Sequence, residues 1–509
     1  MSRSLRNDQQ RIGRFISNLR EERGVTQAEL AEALHTSQSA VARMEKGEQN
    51  FTTEMLSKIS QILNREIISL GTRAINFQIE GGHKLHGVTK VKTSKNSAVG
   101  LLCASLLNRE KTIIKNIARI EEVNRILEVL SSIGMGVRWI SERDVELTPP
   151  EKFELGKIDV EAAMKTRSVI MMIGPLIHLL SRFSLPHPGG CKLGKRTILP
   201  HLLALKELGV EIEARRGVYQ IRRNKLRSRT VPLYEMGDTT TENILMAAAK
   251  IPGKTVIKFA SANYQVQDLC HFLVALGVRI EGIGTSTLVV HGKEQIQTPL
   301  EFQPGEDPIE AMLFISIAAT TRSEITIQGC PIDYLELELL KLKTMGFRYK
   351  ILKEYLSPNG FTRLVDIKTL PSKLIAPEEK LHPLPSNAGI NIDNLPFFVP
   401  IATQAKGRTL IQDWVYENRA IYYMELNKLG ANVILADPHR VYVEGPTPLR
   451  GAEVVCPPAL RPAVIILIAM LAAEGTSILR NVYSINRGYE DLCARLCELG
   501  AKVKVLRSF

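Results

Sequence analysis

One pattern occurs six times after residue 75, and it constrains the fold more than any other feature. Each copy opens with an apolar helical segment; these segments begin at Ser97, Arg167, Glu242, Ile309, Leu395 and Arg461. Most are followed by a short β-branched strand, such as "KTVIKFA", and then by a second helix that ends in glycine. Those glycines are Gly134, Gly209, Gly277, Gly346, Gly430 and Gly500. Because glycine readily ends a helix, each copy predicts a small α/β unit.

Six such units predict an α/β fold with two domains of three units each, helices packed inside and sheets outside. A length of 509 residues also requires more than one core. The apolar run that starts at Pro462 is too short to cross a bilayer, and no signal segment opens the chain. Seven thinly spread cysteines fit free thiols in a reducing compartment. The sequence therefore predicts a cytoplasmic protein with no membrane association.

The net charge of +13 is unevenly distributed. Residues 1–75 hold 11 Lys and Arg against 9 Asp and Glu, so nearly all of the excess lies in the rest of the chain. Such an excess of cations can serve phosphorylated substrates as readily as nucleic acid.

Residues 11–65 predict a cluster of short helices. The stretch "RIGRFISNLREERG" has apolar residues at helical spacing and ends at Gly24. Thr26 can cap "QAELAEALH", Thr36 and Ser37 open "SQSAVARMEKG", and Gly47 closes it. The very short turn between these two helices is typical of a helix-turn-helix.

This segment resembles the phage-repressor type of helix-turn-helix domain, with predicted bounds 1–70. The resemblance implies that Gln38, Ser39 and Arg43 face base edges in the major groove, and that Gln27 touches a phosphate. DNA is thus a predicted partner, and a homodimer is favoured because one copy alone would bind weakly. The alternative is a protein-docking or dimerisation module.

"KTSKNSA" places Lys95 and Asn96 where a strand would end and a helix begin. A helix N-terminus beside a lysine is a good anion site. The alternative is a capped helix on the surface.

"LPHPGGCKLGKR" contains Cys191 behind two glycines and before three cations. Glycines allow a loop to move over a ligand, and nearby cations favour the thiolate form of cysteine. An inert core thiol is the alternative, but the Pro-Gly-Gly context and the basic neighbours favour an active-site residue.

The repeats and these motifs resemble the enolpyruvyl transferase superfamily, and within it the family that acts on UDP-N-acetylglucosamine in the first committed step of peptidoglycan synthesis. The resemblance runs from about Ile75 onwards. It implies a two-lobed, inside-out α/β barrel: one lobe from 76–93 plus 304–509, and one from 94–303 with the cysteine loop. The cleft between the lobes would bind phosphoenolpyruvate and UDP-N-acetylglucosamine, without a metal or an organic cofactor.

The resemblance also implies roles for single residues. Lys95 would contact phosphoenolpyruvate and Asn96 the sugar nucleotide, while Cys191 would be a proton donor or product-release residue and the target of fosfomycin. Asp393, in "AGINIDNLPFF", would take the proton of the reacting hydroxyl, with its basicity raised by burial among ligands; a helix N-cap is the alternative. The implied anion- and nucleotide-contacting residues are Arg167, Arg196, Arg461, Arg487, Val415, Tyr416 and Arg419.

Several positions depart from the family pattern. Thr93 and Ser94 stand where the family has Gly-Ala before the Lys-Asn pair, Asp238 lies in a loop that should contact phosphates, and Ala459 and Ser484 replace an aspartate and a histidine. The stretch 214–229 is unusually basic, either as a solvated hairpin or as a contact for phosphate or nucleic acid.

The leading hypothesis is an enzyme that transfers the enolpyruvyl group to the 3-hydroxyl of UDP-N-acetylglucosamine and releases phosphate. The alternative is a DNA-binding regulator whose transferase-like body senses a cell-wall precursor. Transfer to shikimate 3-phosphate is disfavoured by "PGGCKLG" and "YENR".

Overall fold

The computed structural model describes residues 3–22, 25–48, 53–62, 75–189, 197–383 and 389–507. The chain divides into two compact units. One comprises Met1–Ala74 with Arg507–Phe509, and the other comprises Ile75–Leu506. Across the described ranges, none of the helices combines the length and the apolar character needed to cross a lipid bilayer.

The small unit is helical, with α1 (Arg3–Glu22), α2 (Gln27–Ala33), α3 (Gln38–Glu45) and α4 (Thr53–Ile62). The first helix begins earlier than the predicted start at residue 11, because "RSLRNDQQ" contains neither proline nor glycine to stop it. Its predicted end at Gly24 lies outside the described residues.

The predicted caps of the two following helices are confirmed. The Thr26 side chain accepts a hydrogen bond from the backbone of Glu29, whose carboxylate accepts one from the Thr26 backbone. Ser37 caps α3, and Gly47 adopts a φ of 69° just after its end. Ile16, Leu19, Leu30, Val41 and Ile59 form the centre of the small core.

The large unit starts in one half, builds the other, and returns. The first part contains β1 (Ile75–Gly81), β2 (His86–Lys90), α5 (Lys95–Ala104), β3 (Thr112–Ile114), α6 (Glu121–Ser132), β4 (Gly136–Trp139), β5 (Val145–Thr148), α7 (Val160–Lys165), α8 (Ile173–Leu176), β6 (Arg182–Pro186), α9 (Leu199–Glu207), β7 (Val210–Arg215), β8 (Val218–Arg223), β9 (Thr230–Pro232), α10 (Asp238–Ala248), β10 (Gly253–Lys258), α11 (Tyr264–Ala275), β11 (Arg279–Glu281), β12 (Thr287–Gly292) and β13 (Leu300–Phe302).

The returning part contains α12 (Pro308–Thr321), β14 (Glu324–Pro331), α13 (Glu336–Thr344), β15 (Arg348–Leu356), β16 (Arg363–Leu370), α14 (Phe398–Ala402), β17 (Gly407–Gln412), β18 (Asn432–Asp437), β19 (Arg440–Gly445), β20 (Glu453–Val455), α15 (Leu460–Ala472), β21 (Gly475–Arg480), α16 (Tyr483–Asn486), α17 (Leu492–Glu498) and β22 (Lys502–Arg507). Short 3-10 segments lie at Ser105–Leu107, Leu155–Lys157, Arg167–Met172, Ile332–Tyr334, Leu395–Phe397 and Ala420–Leu429.

Within the described residues, each half of the large unit has three sheets. One half holds the strand orders β13-β3-β5-β4, β6-β8-β7 and β11-β12-β10-β9, and the other holds β20-β21-β1-β22, β15-β16-β14-β2 and β17-β19-β18. The two crossings between the halves lie side by side: Ser94 donates its backbone N–H to Gly305, and Asp307 donates to Lys92. The lobe boundaries predicted at 93 and 304 fall at these crossings and remain a prediction.

The helices lie inside and the sheets outside, as the repeats predict. Every residue of α12 is buried, and so is α15 from Arg461 to Leu471. Helices that are apolar all round must be enclosed by other elements. The six glycines that end the second helices all have positive φ, from 84° to 105°, which is the conformation that favours glycine.

Two of the six apolar segments are not continuous helices. The segments that begin at Arg167 and Leu395 each start as a 3-10 turn and continue as the short helices α8 and α14. Pro175 and Pro400 lie within these helices, where proline removes a backbone donor and crowds the preceding turn.

Candidate active site

A cleft of about 620 Å³ opens between the two halves of the large unit. Its lining includes nearly all of the described residues that the sequence singles out for chemistry: Lys95, Asn96, Arg167, Asp393, Val415, Tyr416, Arg419, Arg461 and Arg487. Cys191 and Arg196 lie outside the described residues. The cleft thus brings cations from several distant parts of the chain close to the Asp393 carboxylate.

Lys95 is the first residue of α5, whose N-cap is the side chain of Ser94. The Lys95 Nζ donates to Glu122 Oε2 at 2.9 Å and to Asn96 Oδ1 at 2.8 Å. The charge of Lys95 is the largest cause that holds the pKa of Glu122 below its usual value, and it outweighs burial. The charge of this lysine is therefore paired with that of an acid on α6.

Asp393 lies between two arginines. The Arg461 Nη2 donates to Asp393 Oδ2 at 3.2 Å, and the Arg419 Nη1 lies 3.7 Å from Oδ1. Burial, the largest single cause, raises the pKa of Asp393, but the nearby positive charges of Arg461, Arg419 and Lys95 together lower it. The cations of the cleft therefore favour the ionised carboxylate of Asp393. The rise in basicity expected when Asp393 is buried among ligands remains a prediction.

Arg419 is held from behind by Asp413, a residue that the sequence reading missed. Its Nε and Nη2 donate to the two carboxylate oxygens at 2.6 and 2.7 Å, and Tyr423 donates its hydroxyl to Oδ2 at 2.5 Å. Arg419 and Asp413 are almost completely buried. The guanidinium also lies over the Tyr416 ring, 4.5 Å from its centroid.

The other arginines approach the cleft from different elements. Arg461 is the second residue of α15 and donates through Nη1 to the Tyr489 hydroxyl at 2.6 Å. Arg167 follows α7 and donates through Nη2 to the Thr197 carbonyl at 2.9 Å. Arg487 follows α16, and its charge contributes to lowering the pKa of Glu122.

Asp238, the departure from the family pattern in the predicted phosphate-contacting loop, is the first residue of α10 and lines the cleft. Ser261 Oγ donates to its Oδ1 at 2.6 Å, and Asn263 Nδ2 donates to its Oδ2 at 3.0 Å. Burial is the main reason that its pKa rises to about 6, and the charge of Asp393 adds to the effect.

His201 is a second cleft residue that the sequence reading missed. It is buried in α9, and its Nδ1 faces the Asn243 amide nitrogen at 3.1 Å. Because an amide nitrogen only donates, Nδ1 is the acceptor. Burial lowers the pKa of His201 to about 3, so the imidazole is neutral.

Residues 79–496 match the family model described as EPSP synthase (3-phosphoshikimate 1-carboxyvinyltransferase), and residues 16–70 match a helix-turn-helix model. The chain is 33% identical to the UDP-N-acetylglucosamine 1-carboxyvinyltransferase of Bradyrhizobium diazoefficiens over 84% of its own length and 98% of that protein. It is 34% identical to the enzyme of the same name from Treponema denticola, over 84% and 99%. The chain belongs to the UDP-N-acetylglucosamine 1-carboxyvinyltransferase family of enolpyruvyl transferases.

Solved structures show the same fold. The enolpyruvyl transferase NikO from Streptomyces tendae superposes with a TM-score of 0.73 at 22% identity and covers 86% of the chain and 100% of its own. EPSP synthase from Acinetobacter baumannii superposes with a TM-score of 0.67 at 18% identity, and the match covers 85% of the chain and 100% of that structure. The prediction of an inside-out α/β barrel preceded by a helical module is confirmed.

Other departures of this enolpyruvyl transferase from the family pattern include two buried residues and one basic stretch. Ala459 is buried just before α15, and Ser484 is buried in α16. Much of the basic stretch 214–229 forms parts of the neighbouring strands β7 and β8. Arg215 and Arg229 there pair with Glu213 and Glu207, both at distances below 3 Å, so part of its charge is already neutralised.

The helical module of the enolpyruvyl transferase presents one polar face of α3. Gln38, Ser39 and Arg43 are exposed there. Gln27 is half-buried and donates through Nε2 to Glu45 Oε2 at 2.7 Å, so that in this structure its amide is engaged within the module. Arg20 also pairs with Glu45, at 2.5 Å. The predicted DNA contacts remain predictions.

Proposed function

We propose that the chain transfers the enolpyruvyl group of phosphoenolpyruvate to the 3-hydroxyl of UDP-N-acetylglucosamine and releases phosphate. The observation that carries this proposal is the position of the Asp393 carboxylate, 3.2 Å from Arg461 in a cleft that Lys95, Arg167 and Arg487 also line. Guanidinium and ammonium groups bind the phosphate and carboxylate of phosphoenolpyruvate, and a carboxylate among them can accept a proton from an alcohol. The name of the relatives, UDP-N-acetylglucosamine 1-carboxyvinyltransferase, supports this acceptor and this transferred group.

In the first step, the acceptor hydroxyl loses its proton to Asp393 while its oxygen bonds to C2 of phosphoenolpyruvate. Lys95 or Cys191 supplies a proton to the methylene carbon, C3, which completes addition across the double bond. In the second step the bond from C2 to the phosphate oxygen breaks, phosphate leaves, and C3 loses a proton to restore the double bond. No metal or redox group takes part in this sequence of bond changes.

The cations around Asp393 explain how its basicity would change when substrates bind. The positive charges of Arg461 and Arg419 both lower the pKa of Asp393. A bound phosphate and carboxylate would share those positive charges, so the pKa of Asp393 would rise once both substrates are in place. Its basicity then increases when the reacting hydroxyl is present.

The proposed reaction predicts phosphate release that depends on both substrates and is blocked by fosfomycin. The thiolate of Cys191 would open the epoxide of the drug, forming a carbon–sulfur bond that mass spectrometry detects on that peptide. Phosphate release by the full chain is measured with and without the drug, and C191S is expected to form no adduct. Cys497, which is exposed, serves as an internal control that stays unlabelled.

Absence of phosphate release from the wild-type chain, together with measurable binding of UDP-N-acetylglucosamine, would favour the regulator over the enzyme. Turnover with shikimate 3-phosphate in place of the sugar nucleotide would instead keep the reaction type and overturn the acceptor.

We also propose that the helical module binds DNA through α3, with a homodimer as the favoured form. Gln38 and Arg43 are exposed on that helix, and they are side chains that pair with adenine and guanine in the major groove. Gln27 would touch a phosphate only after it leaves Glu45, to which it donates in the structure.

Arg43 provides the test of DNA binding. The full chain is used to select sequences from a random duplex library, and affinity for the selected sequence is then measured over a range of salt concentrations. R43A is expected to weaken this binding by about 1–3 kcal/mol, because one bidentate base contact is lost. R43K keeps the positive charge but lacks the two parallel N–H donors of the guanidinium group. It should therefore retain non-specific binding and lose the sequence preference. If no sequence is enriched, or if R43A binds like wild type, α3 does not read DNA.

A further inference from the structure

A chain of hydrogen bonds runs from Asp238 to the backbone of Asp393. Asn263 Nδ2 donates to Asp238 Oδ2 at 3.0 Å, and Asn391 Nδ2 donates to Asn263 Oδ1 at 3.1 Å. Asn391 Oδ1 then accepts the backbone N–H of Asp393 at 2.9 Å. The bond between the two asparagine side chains therefore joins the two halves of the large unit.

The direction of each bond is fixed by its neighbours. A carboxylate only accepts, so the amide nitrogen of Asn263 must face Asp238. A backbone N–H only donates, so the amide oxygen of Asn391 must face Asp393 and its nitrogen must face Asn263. Ser261 also donates to Asp238, at 2.6 Å. Asp238, Asn263, Asn391 and the backbone of Asp393 thus form one chain of hydrogen bonds in which every donor faces an acceptor.

The hydrogen-bonded side chains are tied to helices in both halves of the large unit. Asp238 opens α10, and Asn263 is the N-cap of α11, where its Oδ1 also accepts from the backbone of Tyr264 at 2.9 Å. In the other half, Glu338 of α13 accepts from the backbone N–H of Asn391 at 3.0 Å. Asp393 belongs to a loop, so these contacts fix a segment that has no secondary structure of its own.

We propose that Asp238, Asn263 and Asn391 are positioning residues that hold Asp393 at a set distance from the opposite half of the cleft. This inference rests on the proposed function, because the position matters only if Asp393 meets a hydroxyl bound across the cleft. A misplacement of about 1 Å at a reacting group can reduce turnover about 100-fold. The role also explains how an acid fits at the start of α10: its carboxylate is used as the acceptor that starts the chain.

Serine substitutions distinguish the hydrogen bond between the Asn263 and Asn391 side chains, here called the bridge, from the turn in which Asn391 accepts the Asp393 N–H. In N391S the hydroxyl can still accept the Asp393 N–H, as serine does in such turns, but it is too short to reach Asn263. N263S breaks the same bond from the other side. Each variant is expected to lower kcat about 10–100-fold, with KM for either substrate changed less than about 3-fold. The double variant should be no slower than the slower single variant, because both substitutions break the same bond between Asn263 and Asn391.

Controls distinguish positioning from folding and from substrate binding. N432S changes an exposed asparagine on β18 and should leave kcat unchanged. D238N can still accept from Asn263 and should retain most of the turnover that D238A loses. Normal kcat in N391S, additive losses in the double variant, or losses that follow a fall in Tm would overturn the inference. A raised KM for the sugar nucleotide with normal kcat would instead make these amides substrate contacts.

Amide hydrogen exchange keeps the bridge testable if the reaction proposal fails. If the wild-type chain releases no phosphate from any acceptor, the proposed function is wrong regardless of these variants. The N263S chain should still exchange faster than wild type over residues 389–397, and N432S should not. Unchanged exchange in N263S would show that the bridge does not hold the loop.

Discussion

Replacing Asp393 with asparagine is expected to lower kcat by about 10²–10⁴-fold, the usual contribution of a general base. The amide keeps the shape of the side chain and can still accept from Arg461, but it cannot take the proton of the hydroxyl. Because D393N also removes a negative charge beside Arg461 and Arg419, phosphoenolpyruvate should bind as tightly as before or more tightly. The measurement is phosphate release under saturating substrates, with KM determined for each substrate.

A matched substitution shows whether the effect belongs to the site. Asp437 pairs with Arg440 on the surface hairpin of β18 and β19, at 2.6 Å. D437N loses the same charge far from the chemistry and should leave kcat within about two-fold, as surface pairs contribute little. If D393N keeps the wild-type kcat, the base is another carboxylate; Asp238, which shares the cleft and has a pKa of about 6, would then be examined next.

The fold was predictable because its repeats are local. Each unit contains a strand rich in β-branched residues and a helix that ends in glycine, and the positive φ at Gly134 and Gly500 is a property that sequence reveals directly. The interruptions at Pro175 and Pro400 were also visible in the sequence. A prediction from apolar content alone overlooks them, because it does not include the effect of proline on a helix.

The partners of the site residues were not predictable from one sequence. Lys95 is paired with Glu122, and Arg419 with Asp413. Asn263 meets Asn391 across 128 positions of the chain. Such pairs depend on how the two halves face each other, and no local spacing encodes that. Single charged or amide residues also occur all along the chain, so residue type alone cannot select them.

Replacing Asp413 with asparagine is expected to destabilise the large unit by about 3–5 kcal/mol, since it leaves the buried Arg419 charge without its carboxylate. Both tryptophans of the chain, Trp139 and Trp414, lie in that unit, so the urea midpoint of their fluorescence reports its unfolding. Y423F removes only the hydroxyl that donates to Asp413 and should cost less, about 1.5–3 kcal/mol, as expected for one hydrogen bond to a charged group.

A double substitution separates the unpaired charge from simple loss of packing. In the D413L/R419M chain neither charge remains, and apolar side chains of similar volume fill the space. Its stability should therefore fall short of wild type only by the hydrogen bond that the Tyr423 hydroxyl loses, about 1.5–3 kcal/mol. Turnover should not return, because the positive charge that faces Asp393 at 3.7 Å is gone. If D413N alone is as stable as wild type, Arg419 must find another anion, and the nearest one in the structure is Asp393. In that case D413N should lose turnover while keeping stability, since the arginine would then hold the base as its own counter-ion.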